Sequence, residues 1–179
     1  MSRLPAVERE ALSSDGQAVW DRIAAVRGAV RGPFGVLIKV PPLADRVAAL
    51  EDYFRFDGSL SEAERELVTL AAVREIGARY AWSRHEHRAR EAHVAPEVIE
   101  ALRTKGTLEA LAPRDRIFVE VARSLSHTHR IPDELFKQAQ DELGTETLVE
   151  AVTLTGHYHM IGLLLNGFDV PPPDDTPTF

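Results

Sequence analysis

Residues 61–85 read SEAERELVTLAAVREIGARYAWSRH and contain a helix start, a buried helix and a bend. Ser61 is followed three residues later by Glu64. This is the spacing of a capping box, in which two side chains satisfy backbone amides at a helix start. Over residues 67–76 apolar side chains occur on all sides of the predicted helix, so we expect it to be buried all round. Gly77 predicts a bend, after which a second helix begins.

The rest of the sequence shows the same helical periodicity, which indicates an all-α protein. Further helices are predicted at 15–27, 43–54, 96–102, 113–125, 132–144 and 146–166. The one strand-like stretch runs from Val36 to Val40. We therefore predict a single-domain helical bundle over residues 1–170, followed by a proline-rich tail at 171–179. The tail is expected to be extended or frayed, unless it reaches a neighbouring subunit.

The composition limits the functions that this protein can have. Hydrophobic residues make up 44% of the 179 residues, which suffices for a core, and the formal charge is −7. Such acidity argues against nucleic acid and anionic membranes as partners. The absence of cysteine excludes disulfides and thiol catalysis. No segment has the roughly 20 apolar residues of a membrane span, and residues 1–10 lack a signal-peptide pattern, so we predict a cytoplasmic protein.

A helical wheel of residues 78–92 separates two histidines. His85 shares a narrow stripe with small residues and one tryptophan: Ala78, Ala81, Trp82, Ala89 and Ala92. His87 lies on the opposite side, together with charged residues: Arg84, Arg88 and Glu91. We therefore predict that His85 faces the interior, where the small residues allow either close packing or a cavity, and that His87 faces water.

The carboxylate of Glu66 is the predicted partner of His85. Glu66 lies on the same helix face as Leu70 and Val73, where a carboxylate is costly to bury unless it is protonated or paired. If the chain turns back at Gly77, Glu66 can approach His85, and a carboxylate that orients an imidazole is a common acid–base arrangement. A buried structural pair without catalysis is the alternative interpretation.

Other side chains near His85 could complete a site. Tyr80 offers a hydroxyl donor and Trp82 an aromatic wall. Arg79, or else Arg74 on the preceding helix, could bind the carboxylate of a substrate. Both arginines are also compatible with solvated positions on a helix surface.

The last predicted helix carries two further histidines. His159 is a candidate pocket residue, because it shares a face with residues that could border a cavity: Gly156, Gly162 and Asn166. His157 fits a position in the core. A metal ion held across helices by His85, His157 and Glu66 is an alternative, although histidines two residues apart on one helix cannot bind the same ion. We predict no metal and no cofactor.

These motifs resemble the carboxymuconolactone decarboxylase / alkylhydroperoxidase D-like family. In the central motif, Arg65-Glu66-Leu67 on one helix is followed by Tyr80-Ala81-Trp82 and then by His85. Similar features lie upstream, at Arg31-Gly32-Pro33-Phe34, and downstream, at Gly156-His157-Tyr158-His159-Met160. The resemblance spans residues 32–170 and implies the helical bundle of alkylhydroperoxidase D-like proteins.

The resemblance also carries chemical implications. Alkylhydroperoxidase D-like members use two cysteines ahead of the histidine, and these positions correspond to Ala78 and Ala81. The proton-relay glutamate of the family corresponds to Glu66. Because both thiols are replaced by alanine, thiol peroxidase activity is excluded. The resemblance then implies the decarboxylase branch, which acts on lactones by acid–base chemistry, with His85 as the proton-transfer group and Glu66 orienting it.

We therefore predict a cofactor-free lyase or isomerase that acts on a small, carboxylated, lactone-like substrate. Its pocket would be bordered by Ala78, Ala81, Trp82 and His85. A non-catalytic binding protein or vestigial family member is the first alternative, and it predicts that both alanines pack tightly and leave no cavity. A metal-dependent enzyme is the second alternative. The resemblance also implies a homo-oligomer.

Overall fold

The structure is a computed structural model that describes residues 2–173 and 178–179, and these residues form an all-helical fold. Nine α-helices follow one another along the described chain: α1 Ser14–Arg27, α2 Pro33–Leu37, α3 Pro41–Asp52, α4 Glu62–Glu75, α5 Arg79–Glu91, α6 Pro96–Thr104, α7 Pro113–Thr128, α8 Asp133–Leu143 and α9 Thr145–Gly167. A 3₁₀ turn at Arg9–Ala11 precedes α1, and a π-helical turn at Tyr53–Asp57 continues α3. The predicted all-α fold is confirmed.

Helix α4 forms the centre of the bundle, where it packs against α5, α7 and α9. Every residue from Glu66 to Val73 is buried, as the apolar pattern on all sides predicts. The capping box at its start is confirmed: the Ser61 hydroxyl accepts from the Glu64 amide, and the Glu64 carboxylate accepts from the Ser61 amide at 2.9 Å. The cap satisfies two amides that the helix itself cannot pair, so it fixes where α4 begins.

Helices α4 and α5 form a hairpin that bends at Gly77. The Asn166 side chain of α9 donates to the carbonyl of Ile76 at 3.0 Å and holds the bend from outside. Gly162, also on α9, lies so close that a Cβ there would be 2.6 Å from an Ile76 methyl carbon and 3.2 Å from the Ala78 Cβ. This close approach brings α9 against the start of α5, the helix that carries His85.

The strand-like stretch Val36 to Val40 is helical instead. Residues up to Leu37 belong to α2, and a turn follows. Phe34, Leu37 and Ile38 are buried, and their i, i+3, i+4 spacing places them on one helical face against the core. The short apolar run was ambiguous because a buried strand and a short buried helix have the same composition.

The end of the tail packs on the domain. The Arg103 guanidinium donates to the carbonyl of Thr178 at 2.8 Å. The ring of Phe179 meets Trp82 edge-on, with the centroids 5.5 Å apart, and the Arg74 guanidinium lies 4.2 Å from the Phe179 centroid. These two terminal residues are therefore docked rather than frayed, and the part of the tail at 174–177 lies outside the described residues.

Helix α9 meets the length and composition of a membrane span, contrary to the expectation from the sequence. It has 23 residues, and its most apolar window has a mean hydropathy of 1.2. Within the protein, 56% of that window is buried, as in the core helix of a helical bundle. The cytoplasmic location remains a prediction.

Candidate functional site

The predicted Glu66–His85 contact is present at the centre of the bundle. His85 Nδ1 lies 2.6 Å from Glu66 Oε2, and the two side chains are only 8% and 2% exposed. Since a carboxylate accepts hydrogen bonds, Nδ1–H donates to Glu66, and this fixes the tautomer and orientation of the ring. His85 Nε2 has no hydrogen-bond partner among the described residues, so it remains free for a ligand.

The electrostatics of this pair favour an ionised Glu66. Burial raises the pKa of the Glu66 carboxyl, but the charge and hydrogen bond of His85, with contributions from Arg88 and Arg65, hold the pKa below its ordinary value. The nearest of these arginine contacts joins Arg65 Nε and Glu66 Oε1 at 3.7 Å. Glu66 can therefore stabilise a positive charge on His85 when that imidazole accepts a proton.

His85 opens onto a pocket of about 80 Å³. One wall is a face of α5, with Ala81, Arg84, His85 and Arg88 at helical spacing, and Tyr80 beside it. The opposite walls come from α1 to α3 and from α9, and their side chains include Arg27, Arg31, Phe34, Glu51, Tyr158 and Ile161. The pocket therefore combines one imidazole with a mostly cationic lining.

Four arginines line this pocket in a chain whose formal charge is −7. Within the described chain, the side chains of Arg31, Arg84 and Arg88 form no ion pair and no hydrogen bond. The Arg27 side chain is 8% exposed; its Nη2 donates to Asp52 at 2.7 Å, while its Nε and Nη1 are buried and donate no hydrogen bond. Buried donors without acceptors are costly, so this arrangement fits an anionic ligand.

The positions of Arg84 and Arg88 differ from the expectation that they share the water-exposed side with His87. Around α5 they lie about 100° and 60° from His85, on the side of Ala81. Both side chains are half-buried and reach the pocket, because a long arginine can extend around the helix. His87 is exposed, as predicted.

Two tyrosines add neutral hydroxyl donors to the pocket. Burial raises the pKa of Tyr80, and burial followed by the charges of Glu51 and Glu66 raises the pKa of Tyr158 well above its ordinary value. The Tyr158 ring meets the His85 ring edge-on at 4.7 Å between centroids. Both phenols therefore stay protonated and can donate hydrogen bonds at neutral pH.

The backbone at Gly32 lies directly against Tyr80. Gly32 has a φ of +60°, and a Cβ at this position would be 2.4 Å from the tyrosine ring. A side chain here would strain the backbone and displace the ring. The glycine thus allows Tyr80 to occupy its place in the pocket wall.

The structure brings together only part of the predicted pocket. Tyr80 and Ala81 line it beside His85. Ala78 is fully buried and packs under α9. Trp82 faces away from the pocket, and its Nε1 donates to Glu86 at 3.0 Å. Trp82 lies about 60° from His85 on the side opposite to Ala81, so the same helix buries Trp82 against α6 and the tail.

Arg79, Arg74 and His159 also lie outside this pocket. Arg79 is exposed and borders a separate surface cleft. Arg74 Nε donates to the carbonyl of Arg103 at 2.6 Å. His159 Nε2 is hydrogen-bonded to Ser126 Oγ at 2.8 Å, between α9 and α7. The arginines predicted to bind a carboxylate are therefore replaced by others from α1, α5 and the turn before α2.

His157 occupies a core position, as the sequence suggests. It is buried, and neither ring nitrogen has a hydrogen-bond partner in the structure. Burial lowers the pKa of His157, so the imidazole is neutral at pH 7. Over residues 2–173 and 178–179, no three histidine, aspartate or glutamate side chains come together as metal ligands, so the metal-dependent alternative has no ligand set there.

Four pocket residues were not identified from the sequence: Arg27, Arg31, Glu51 and Tyr158. They come from four different elements, and no spacing along the chain links them to His85. Arg31 and Tyr158 lie within the motifs that carry the family resemblance, and Arg84 and Arg88 flank His85 at i−1 and i+3 on one helix, but neither signal indicated a place in the pocket.

Comparisons with known proteins agree with this fold and motif. Residues 41–124 match the model of the carboxymuconolactone decarboxylase family, a range that includes Glu51, Glu66 and His85. No curated protein sequence matches the chain.

Several solved structures share the fold at low sequence identity. An uncharacterised peroxidase-related protein from Ralstonia eutropha JMP134, described as an alkylhydroperoxidase AhpD core, has a TM-score of 0.82 and 21% identity, covering 97% of this chain and 93% of that chain. A peroxidase-related protein from Silicibacter sp. TM1040 has a TM-score of 0.75 and 16% identity, covering 97% and 91%.

A third similar structure is the debrominase Bmp8, solved as a cysteine-to-alanine variant in complex with 2,3,4-tribromopyrrole. It has a TM-score of 0.77 and 16% identity and covers 94% of this chain and 90% of that chain. At these identities the structural similarity establishes the fold alone. The matched segment, the motif around Glu66 and His85 and the common fold make this cysteine-free protein similar to the carboxymuconolactone decarboxylase family.

Proposed function

We propose that this protein is a cofactor-free lyase or isomerase that acts on a small, anionic, cyclic substrate such as a carboxylated lactone. One observation carries the proposal: the free Nε2 of the His85–Glu66 pair opens onto a pocket lined by four arginines. A carboxylate bound by these arginines would place the ring of a small substrate beside the imidazole.

The chemistry follows from the residues around the pocket. His85 Nε2 exchanges a proton with a substrate carbon, and Glu66 stabilises the imidazolium that forms. The negative charge that develops on the substrate oxygen is stabilised by the protonated hydroxyls of Tyr80 and Tyr158 and by the nearby guanidinium groups. The fold is compatible with such use, since the similar protein Bmp8 is a debrominase that was solved with a small cyclic ligand.

Arginine substitutions test the anion-binding part of this proposal. We expect maleate, a small dicarboxylate, to bind the wild-type protein, and Arg84→Gln and Arg88→Gln each to weaken its binding about 10-fold or more. A charge-assisted hydrogen bond contributes about 1.5–3 kcal/mol, which accounts for that change. The measurement is isothermal titration calorimetry at low ionic strength.

Arg79→Gln is the matched control, because Arg79 lies on the same helix but outside the pocket. It should leave maleate affinity unchanged. Equal losses in Arg79→Gln and Arg88→Gln would point to a general effect of surface charge and would contradict the proposed anion site.

A non-catalytic binding protein is the alternative, and one observation favours it in part. Ala78 packs tightly under α9, as the vestigial interpretation predicts, but Ala81 lines a pocket. His85→Ala separates the two functions. Both kinds of protein would still bind the ligand in this variant. Only an enzyme would also lose turnover, because a binding protein catalyses no reaction in the wild-type form.

We also propose that the protein self-associates through an apolar stripe on α9 and α8, formed by Phe136, Val149, Met160 and Leu163. These four side chains are 42–65% exposed, and residues 151–167 contain no charged side chain. A second copy of the chain fits this stripe, because it presents the same exposed apolar side chains, and residues 151–167 bring no charged side chain that association would desolvate.

Leu163→Glu tests this surface. We expect the wild-type protein to elute as an oligomer in size-exclusion chromatography with light scattering, and Leu163→Glu to shift the population to the monomer, because a buried unpaired carboxylate opposes association. Val40→Glu alters a comparably exposed apolar residue outside the stripe and should leave the mass unchanged. A monomeric wild-type protein would refute the proposal.

A further inference from the structure

Glu51 is a largely buried glutamate whose side chain accepts no hydrogen bond from the described residues, unlike four other buried glutamates. The side chains of Glu66, Glu75 and Glu86 are 2–4% exposed, the residue Glu150 is 5% exposed, and the side chain of Glu51 is 12% exposed. Such carboxylates require partners, because transfer of an ionised group out of water is costly.

The other four carboxylates have close donors. Glu66 accepts from His85 at 2.6 Å, and Glu75 accepts from Lys105 at 2.5 Å and His127 at 2.7 Å. The donors to Glu86 are Trp82, Arg90 and Arg103, at 2.6–3.0 Å, and the donors to Glu150 are the Tyr53 hydroxyl and two groups of Ser59, at 2.6–2.8 Å. Charge pairing and hydrogen bonds therefore explain why these four can be buried.

Glu51 lies in the pocket without such support. Its closest cation is Arg27, whose Nε is 4.0 Å from Glu51 Oε1, and no described residue donates a hydrogen bond to it. Arg27 is already paired with the neighbouring Asp52 at 2.7 Å. Asp52 is therefore the closer partner of Arg27, and Glu51 has no cation within hydrogen-bond distance.

Glu51 shares its pocket with ionisable groups from four parts of the chain. Arg27 belongs to α1, Arg31 precedes α2, Arg84 and Arg88 belong to α5 beside His85, and Tyr158 belongs to α9. The charges of Glu51 and Glu66 both act on Tyr158, and the charge of Glu51 also acts on His157. Glu51 on α3 and Glu66 on α4 therefore both lie near Tyr158. Glu51 belongs to the same pocket as His85.

We propose that Glu51 is a second proton-transfer group of this pocket, which takes up a proton when an anionic substrate binds. The inference rests on the proposed function of the pocket. An incoming carboxylate beside Glu51 would repel it, and protonation of Glu51 removes that repulsion while adding a hydrogen-bond donor. The anion thus binds together with the proton that the reaction needs.

The proposed reaction moves a proton from one carbon of a conjugated substrate to another. His85 Nε2 accepts a proton from the carbon next to a carbonyl group, and the electron pair of that C–H bond forms an enolate. Protonated Glu51 then donates its proton to another carbon of the enolate system, its O–H electron pair remains on the carboxylate, and the carbonyl group re-forms. His85 afterwards releases its proton to solvent, and Glu51 regains one with the next substrate.

The first test compares thermal stability and does not depend on any ligand. We expect Glu51→Gln to keep or raise the Tm of the protein by a few degrees, because the substitution removes a poorly solvated charge without breaking a hydrogen bond. Glu150→Gln should lower the Tm, because the Glu150 carboxylate accepts three hydrogen bonds that the substitution weakens. If Glu51→Gln lowers the Tm as much as Glu150→Gln, Glu51 is a structural partner of Arg27 and the proposal is overturned.

The second test measures proton uptake with maleate as the probe. Calorimetric titrations near pH 7 in buffers of different ionisation enthalpy should show proton uptake on maleate binding in the wild-type protein and in Asp52→Asn, and its loss in Glu51→Gln. Unchanged proton uptake in Glu51→Gln would overturn the proposal even if maleate binds. Failure of maleate to bind would instead count against the proposed function, and the Tm comparison would still decide whether Glu51 is unpaired.

Discussion

In His85→Ala, the carboxyl group of Glu66 is expected to titrate at a higher pH than in the wild-type protein. Burial raises the pKa of Glu66, and the charge and hydrogen bond of His85, 2.6 Å away, hold that pKa down, so the substitution removes the opposing influence. In Glu66→Gln, any reaction that passes through His85 should slow by about 100-fold or more, which is the range of a general acid–base contribution. The titration is followed by NMR of isotope-labelled side-chain carboxyl groups, with Glu66→Gln for assignment.

Glu150 provides an internal control for this experiment. Burial raises its pKa, but hydrogen bonds from Tyr53 and Ser59 hold the pKa of Glu150 below its ordinary value. The titration of Glu150 should be unchanged in His85→Ala, whereas Tyr53→Phe should raise the pKa of Glu150 and leave that of Glu66 unchanged. If Glu66 titrates at the same pH in His85→Ala and in the wild-type protein, the pair has no acid–base coupling, and the proposed chemistry fails.

The same pair makes a contribution to stability that depends on pH. Because the pKa of Glu66 is held below its ordinary value, its contribution is fully present above the unfolded-state pKa of about 4.3 and is lost as the pH falls through the folded-state pKa. The free energy of unfolding should therefore fall less steeply on acidification in Glu66→Gln than in the wild-type protein.

Trp82→Ala should destabilise the fold by about 3–5 kcal/mol, the usual cost of truncating a fully buried aromatic side chain. Trp82 has no exposed surface and contacts Phe179, and its Nε1 is one of three donors to Glu86. The substitution therefore leaves a cavity and weakens the hydrogen bonding of a buried carboxylate. Urea unfolding followed by circular dichroism measures the loss.

The second tryptophan of the chain is the matched control. Trp20 lies on α1 and is only half-buried, so Trp20→Ala should cost clearly less, about 2 kcal/mol or below. Equal losses in the two variants would contradict the assignment of Trp82 to the core behind α5, where it supports the helix without lining the pocket.

The sequence by itself determined the helical fold, the start of α4 and the contact between Glu66 and His85. Each depends on patterns that are local in the chain: apolar side chains on all sides of α4, the three-residue spacing of Ser61 and Glu64, and a glycine bend between two helices. Two adjacent helices in a hairpin leave few possible partners for a buried side chain. The contact between the carboxylate on α4 and the histidine on α5 could therefore be predicted from the sequence.

Only the tertiary structure decided which side chains share the pocket with His85. Arg27 and Glu51 come from α1 and α3, far from His85 in sequence, and no periodicity relates them to α5. On α5 itself, the helical wheel gave the direction of His85 but could not say which flank faces a cavity and which faces packed neighbours. The packing of α9, α6 and the tail placed Trp82 in the core and left Arg84 and Arg88 at the pocket, because burial is decided by what packs against a helix face.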